Sequence, residues 1–269
     1  MSKRLRFEKW EKLSNDFVVL TASPELDVRP ELARMLCDRR RGIGADGVLL
    51  VDARDRAARP RMVVLNADGS RPEMCGNGLR CVAAYLADAG WPADLTVETD
   101  AGPRRCQVSA SRGGVEVTIE MGRARTGEPL EVVLDGATHR FAQVDVGNPH
   151  AITFAPFDEP LVDRLGPVVA GAVPGGTNVE FCRMVDGPVT QPVGIEVVVW
   201  ERGVGRTLAC GTGACAVAAA ACAEGRARYD VPLPIRLPGG ELEVTVARDQ
   251  ALRMRGPARR AFSGELEVP

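Results

Sequence analysis

The chain has 269 residues with 45% hydrophobic and 26% charged side chains, which places it among globular proteins, long enough for two domains and without a case for disorder. Its formal charge of −2 gives no electrostatic reason to expect a nucleic acid or a membrane surface as partner. Lys3, Lys9 and Lys12 are the only lysines, so a pyridoxal phosphate enzyme, which needs a Schiff-base lysine in its site, is close to excluded.

In chain order, alternating runs predict strands at Phe17–Thr21, Met62–Leu65, Leu95–Thr99, Val115–Met121, Phe141–Val146, Ala151–Phe154, Val179–Val185, Ile195–Trp200, Leu242–Val246 and Ala251–Met254. A last strand is expected at Ala261–Val268. Helices are predicted at Pro30–Arg40, Leu79–Ala89 and Ala214–Glu224, ended by Gly42, Gly90 and Gly225 respectively. Many strands with a few helices imply a mixed α/β (α+β) architecture rich in antiparallel pairs. The longest low-polarity run, Ala214–Ala223, is too short to span a bilayer.

Eight cysteines could suggest disulfides, but the opening Met-Ser-Lys-Arg-Leu-Arg lacks an apolar leader and the chain is too large to need staples, so a reducing cytoplasm is expected. No C-x-x-C pair occurs, which argues against structural zinc and weakens a thiol-disulfide oxidoreductase reading. His139 and His150 are the only histidines, leaving little for a histidine metal site. No metal is expected.

One phrase occurs twice. Cys75-Gly76-Asn77-Gly78 precedes one predicted helix and Cys210-Gly211-Thr212-Gly213 precedes another, 135 positions apart, half the chain length. A duplicated domain gives that spacing. A cysteine at a helix N-terminus lies near unpaired N–H groups and the positive end of the helix dipole, so its thiol pKa is expected to fall from ~8.5 towards neutrality. The adjacent glycines let those N–H groups approach a carboxylate. If both turns converge on one substrate, one thiolate could remove an α-proton while the opposite thiol returns one, inverting the centre with no organic cofactor. The remaining cysteines, Cys37, Cys81, Cys106, Cys182, Cys215 and Cys222, are expected to be small core hydrophobes.

The ordered set of phrases Asn15-Asp16-Phe17, Gly42-Ile43-Gly44-Ala45-Asp46-Gly47, Asn66-Ala67-Asp68-Gly69-Ser70, Gly147-Asn148-Pro149-His150, Thr177-Asn178-Val179-Glu180-Phe181 and Glu201-Arg202-Gly203-Val204-Gly205, together with the two C-G-x-G turns, resembles the diaminopimelate epimerases from about residue 7 to the C-terminus. The resemblance implies two pseudo-symmetric domains, each a mostly antiparallel sheet wrapped around a central helix. The halves would be 1–122, with a returning strand at about 259–269, and 123–258, with the site between them. It implies a cytoplasmic, homodimeric isomerase, free of pyridoxal phosphate, that interconverts LL- and meso-diaminopimelate, a small molecule of lysine and peptidoglycan precursor biosynthesis.

By that likeness Cys75 and Cys210 form the acid-base pair. Gly76, Asn77, Gly211 and Thr212 present N–H groups to the reacting carboxylate. Asn15, Asn66, Asn148, Asn178, Glu201 and Arg202 hold the substrate's other groups, and His150 lies beside the site. The chemistry of the side chains agrees, since an arginine fork suits a second carboxylate and a glutamate an ammonium. Each asparagine is also an ordinary turn residue. Three features depart from the family's usual pattern. Lys12 and Ser14 replace two glycines, which predicts a differently shaped loop at Asn15; Arg206 stands at a commonly acidic position near the second cysteine; and Gly102-Pro103 replaces another turn. The competing readings are a cofactor-independent racemase of another amino acid on the same fold and a catalytically silent binding protein.

Overall fold

The computed structural model describes residues 3–23, 29–72, 75–111, 114–185 and 194–268. Its internal contacts divide into two compact units, Met1–Ile119 with Gly256–Pro269, and Glu120–Arg255. Among the described residues each unit combines strands with two helices, an α+β construction.

In the first unit β1 (Lys3–Lys12) pairs antiparallel with β2 (Asn15–Thr21), and β2 runs parallel to β3 (Gly47–Asp52) after helix α1 (Pro30–Cys37). Next, β3 pairs antiparallel with β4 (Arg61–Asn66), which after helix α2 (Gly76–Asp88) has a parallel partner in β5 (Asp94–Thr99). An antiparallel run through β6 (Gly102–Ser111) to β7 (Gly114–Arg123) completes the series.

The second unit repeats that grammar. After β8 (Arg125–Thr126) and β9 (Leu130–Leu134), β10 (Ala137–Asp145) pairs antiparallel with β11 (Pro149–Thr153), and β11 parallel with β12 (Asn178–Val185) after α3 (Glu159–Gly171). Strand β12 pairs antiparallel with β13 (Gly194–Glu201), which also pairs with the short β14 (Gly205–Thr207). After helix α4 (Gly211–Ala223), β13 has a parallel partner in β15 (Leu233–Leu237), which continues antiparallel into β16 (Gly240–Val246) and β17 (Ala251–Val268). The far part of β17 belongs to the first unit, where it pairs antiparallel with β1.

Helices α2 and α4 are the central elements. Almost every residue of α2 from Gly76 to Leu86 is buried, and so are eleven of the thirteen of α4. A helix apolar on all sides belongs inside a core, and the alanines of α4 let strands approach it from several directions. Among the described residues no helix is long and apolar enough to cross a membrane, and no group of three His, Cys, Asp or Glu is placed to hold a metal ion.

Several elements differ from the sequence expectation. Helix α1 stops at Cys37 because the chain turns back there: the N–H groups of Ile43 and Gly44 both donate to the Leu36 carbonyl. Helices α2 and α4 start three residues earlier than predicted, so the glycines of the repeated phrase form their first turns. Helix α3 was not predicted, because Pro160, Gly166 and Pro167 read as breakers. It forms because Asp158 caps it by accepting from the Leu161 N–H at 2.8 Å, and because Val162, Leu165 and Val169 join a core with Phe141 and Phe181. Gly166 is required there: a β-carbon would stand 2.8 Å from the Trp200 ring.

The departure at Lys12 and Ser14 has a defined shape. Lys12 pairs with Asn15 across a two-residue hairpin in which Leu13 (φ 48°) and Ser14 (φ 64°) both adopt the left-handed conformation of a type I′ turn. From β14 the Arg206 side chain reaches the start of α3, bonded to Glu159 and, at 2.5 Å, to Asp163. Gly102, with φ 90°, closes the turn between β5 and β6, where its carbonyl accepts from the Thr99 hydroxyl at 2.6 Å.

Candidate active site

The two C-G-x-G turns have the same construction. Cys75 caps α2 with φ −137° and ψ 104°, and its sulfur accepts from the Gly78 N–H at 3.3 Å. Cys210 caps α4 with φ −127° and ψ 113°, and its sulfur accepts from the Gly213 N–H at 3.3 Å. The thiol thus occupies the place of a side-chain N-cap, taking one of the helix's unpaired donors. The fourth residue of each phrase, the third of its helix, must be small. A β-carbon on Gly78 would meet Leu49 Cδ2 at 2.7 Å, and one on Gly213 would meet Glu180 Oε1 at 2.6 Å.

In the first unit Asn77, in the first turn of α2, donates to Asn15 Oδ1 at 2.5 Å, and Asn15 donates to Asp46 at 3.2 Å. Arg80, fully buried one turn on, donates to Asn77 Oδ1. Asn66 is engaged in its own turn, where Nδ2 donates to the Ser70 hydroxyl at 2.9 Å and its N–H to the Ser70 carbonyl at 2.8 Å.

The second unit places the equivalent pair alike, with Asn148 Nδ2 donating to Thr212 Oγ1 at 3.4 Å. The Thr212 hydroxyl lies 3.5 Å from Cys210 Sγ. His150, on β11 and 1% exposed, has Nε2 at 3.2 Å from Asn148 Oδ1 and Nδ1 at 2.7 Å from Glu180 Oε1. Glu201, at the end of β13, accepts from the Thr207 hydroxyl at 2.6 Å. Asn178 accepts from the Arg202 N–H at 2.9 Å, while the Arg202 guanidinium donates to the carbonyls of Gly175 (2.6 Å) and Gly176 (3.4 Å).

The electrostatics of Cys210 differ from the sequence expectation. Its thiol is pushed up, away from neutrality, first by burial and then by the carboxylates of Glu201 and Glu180; the Thr212 and Gly213 hydrogen bonds oppose this without prevailing. A helix end and hydrogen bonds favour a thiolate, but burial and nearby carboxylates disfavour it, and here the sulfur is buried beside two acids. Burial likewise raises Glu201. The six other cysteines are buried. Burial pushes Cys37 up to about 11 and Cys81 up to about 12, and it raises Cys182 and Cys222, as suits inert thiols.

Glu180 was not singled out from the sequence. The signal was present: an acidic residue between Val179 and Phe181, in a strand otherwise reading as core, needs a partner.

The diaminopimelate epimerase family profile matches residues 12–127 and 142–261. The diaminopimelate epimerase of Desulfitobacterium hafniense is 41% identical over 281 residues, covering 96% of either chain. That of Desulforudis audaxviator is also 41% identical, covering 97% of this chain and 99% of its own. Among solved structures, a phenazine biosynthesis protein of Bacillus anthracis aligns with a TM-score of 0.72 at 14% identity over 99% of both chains. A hydroxyproline epimerase of Agrobacterium vitis aligns with a TM-score of 0.68 at 16% identity, over 98% of this chain and 93% of that one. The structural likenesses carry the fold, and the sequence matches carry the family: the chain belongs to the diaminopimelate epimerase family.

Proposed function

We propose that this protein interconverts LL- and meso-diaminopimelate by moving a proton at the α-carbon, with Cys75 and Cys210 as the two acid-base groups. The observation that carries the reading is the duplicated cap: two cysteines with matching backbone angles, each sulfur accepting from the third residue of its helix at 3.3 Å. Inversion needs an acid-base group on each face of the carbon, and a reaction that runs in both directions needs two of similar kind. One sulfur, as thiolate, takes the α-proton; the other, as thiol, delivers its proton to the opposite face. The S–H and S⁻ roles have then exchanged, which is the starting state for the reverse reaction.

The N–H groups of Gly76, Asn77, Gly211 and Thr212 suit the α-carboxylate, whose negative charge grows as the carbanion forms, so that their bonds strengthen in the transition state. Glu201 suits an ammonium and Arg202 the distal carboxylate, with Asn15, Asn66, Asn148 and Asn178 as neutral donors and acceptors and His150 beside them. Arg202 reaches this role by leaving, or sharing, the two glycine carbonyls it now holds. The raised thiol of Cys210 supports its service as the proton donor of the substrate-free protein. No organic cofactor enters the scheme. The family resemblance also supports a place in lysine and peptidoglycan precursor biosynthesis and a cytoplasmic homodimer.

The test is chiral chromatography after incubating LL-diaminopimelate with wild-type, Cys75→Ala and Cys210→Ala proteins. Wild type should produce the meso isomer, and neither variant should retain a tenth of its rate. A single variant that does would overturn the two-base assignment.

A further inference from the structure

The two units are built alike around their cysteines, yet they differ beneath them. In the first unit β2 and β3 pair Phe17 with Gly47 and Val19 with Leu49, and Leu49 is the side chain under Gly78. In the second, β11 and β12 pair His150 with Asn178 and Ile152 with Glu180, and Glu180 is the side chain under Gly213. Phe17 and Leu49 are thus the counterparts of His150 and Glu180. Apolar side chains satisfy packing at this position, so packing alone does not call for an acid and an imidazole. Nor does stability, because a buried ion pair commonly does no better than apolar residues of the same volume.

Both side chains are fully buried. Glu180 Oε1 meets His150 Nδ1, while Glu180 Oε2 is buried with no hydrogen-bond partner. From His150 a chain of contacts leads to the sulfur: Nε2 to Asn148 Oδ1 (3.2 Å), Asn148 Nδ2 to Thr212 Oγ1 (3.4 Å), and Thr212 Oγ1 to Cys210 Sγ (3.5 Å). We propose that Glu180 is a positioning residue for the reaction of Cys210. It keeps hydrogen on both ring nitrogens of His150 and so fixes the direction of this chain, with the Thr212 hydroxyl donating to the sulfur.

The direction follows link by link. With a carboxylate at Nδ1 and a carbonyl oxygen at Nε2, both ring nitrogens face acceptors, and each donates. Asn148, having accepted through Oδ1, donates through Nδ2 to the Thr212 oxygen. That oxygen, with one lone pair taken, turns its own hydrogen to Cys210. A hydroxyl donating to sulfur favours the thiolate, countering in part the burial and the acidic neighbours that oppose it. Among the described residues the titratable groups that bear on Cys210 are Glu201 on β13 and Glu180 on β12, and His150 on β11 acts on Glu201. An imidazole with hydrogen on Nδ1 alone would still donate to Glu180 but would accept at Nε2, reversing the links from Asn148 onward and leaving the S–H donating to Thr212. The first unit lacks the acid and the imidazole, so the two thiols are unequal by construction.

The inference rests on the epimerase reading for its purpose, but its test does not require turnover. With only two histidines in the chain, nitrogen-15 labelling of histidine gives two resolvable rings, His139 being assigned by its loss in His139→Gln. At pH 8 the wild-type His150 should show hydrogen-bearing shifts at both nitrogens, whereas a lone-pair shift at either would overturn the proposal. Iodoacetamide alkylation of Cys210, followed by peptide mass spectrometry against pH, supplies the second reading. In Glu180→Gln, which loses the acid and with it the charge on His150, Cys210 should react about tenfold more slowly at pH 8 while Cys75 is unchanged. If Glu180 acted only as a repelling charge, the same variant would react faster; an unchanged or faster rate refutes the proposal. Wild-type spectra stand even where the variant folds poorly. Epimerisation failing with the spectra as expected would sink the substrate reading alone, and the converse result would sink only the role of Glu180.

Discussion

The asymmetry beneath the two caps gives a paired substitution with opposite consequences. Gly78→Ala and Gly213→Ala change the same helical position in the two units. Each gains up to ~1 kcal/mol of helix propensity. Each also places a β-carbon at least about 0.7 Å inside ordinary contact, at 2.7 Å from Leu49 Cδ2 in one case and 2.6 Å from Glu180 Oε1 in the other. Overpacking of that order costs ~1–3 kcal/mol, so both variants should lose about 1–2 kcal/mol, read as a few degrees in thermal melting. Their activities should part. The Leu49 methyl can yield by a rotamer shift, but Glu180 Oε1 is held at 2.7 Å by buried His150, and the new β-carbon also lies 3.2 Å from Cys210 Sγ, against 3.4 Å from Cys75 Sγ for Gly78→Ala. Displacing the sulfur by a few tenths of an ångström misaligns proton transfer, for which a 1 Å error costs ~100-fold. Gly213→Ala should therefore lower kcat by ten- to a hundredfold and Gly78→Ala by less than tenfold, measured by chiral chromatography. Equal losses, or the larger loss in Gly78→Ala, would refute the account of the two caps.

Arg202→Met should cut kcat/KM for diaminopimelate by ~100-fold or more with melting nearly unchanged, since this exposed side chain holds only two carbonyls. Wild-type protein should reject lysine, which lacks the distal carboxylate, by ~10⁴-fold, and racemisation of lysine within tenfold of diaminopimelate would break the substrate assignment. Lys12 is buried with no hydrogen-bond partner for Nζ, and burial, aided by the Arg80 charge, lowers its pKa to about 7. Below pH 7 the folded state carries the whole cost of this ammonium. Between about 7 and the unfolded value of ~10.4 the unfolded chain binds the extra proton, so stability rises with pH. Lys12→Met should thus be more stable than wild type at pH 6, with the gap closing towards pH 10 in denaturant titrations; a constant or widening gap would contradict the burial argument. Ser14→Gly relieves a left-handed residue costing ~1–2 kcal/mol, partly offset by the freer unfolded chain, and should raise stability by about 0.5–1 kcal/mol. A lower melting temperature would be inconsistent with the observed turn.

What the sequence determined is what local chemistry dictates. A strand, a cysteine, two glycines and an apolar helix recur at half the chain length, and the same backbone conformation follows twice because the capping sulfur, the glycine third in the helix and the buried helix face all lie within a few residues of each other. The family could be read for the same reason, since its phrases are contiguous turns such as Gly147-Asn148-Pro149-His150. The duplication even contained helix α3, the counterpart of α1 between two parallel strands, although its prolines masked it. Tertiary structure alone decided three things. It placed Glu180 against His150 and beneath Gly213, a contact between β11, β12 and α4 that no spacing encodes. It raised the Cys210 thiol where the helix end by itself predicts a lowered one, because the acids that oppose ionisation arrive from β12 and β13. It buried Lys12 beside Arg80, two cations 68 positions apart. Hydrogen bonds within a turn are fixed by the order of residues, whereas desolvation and the field at a buried atom depend on everything packed around it.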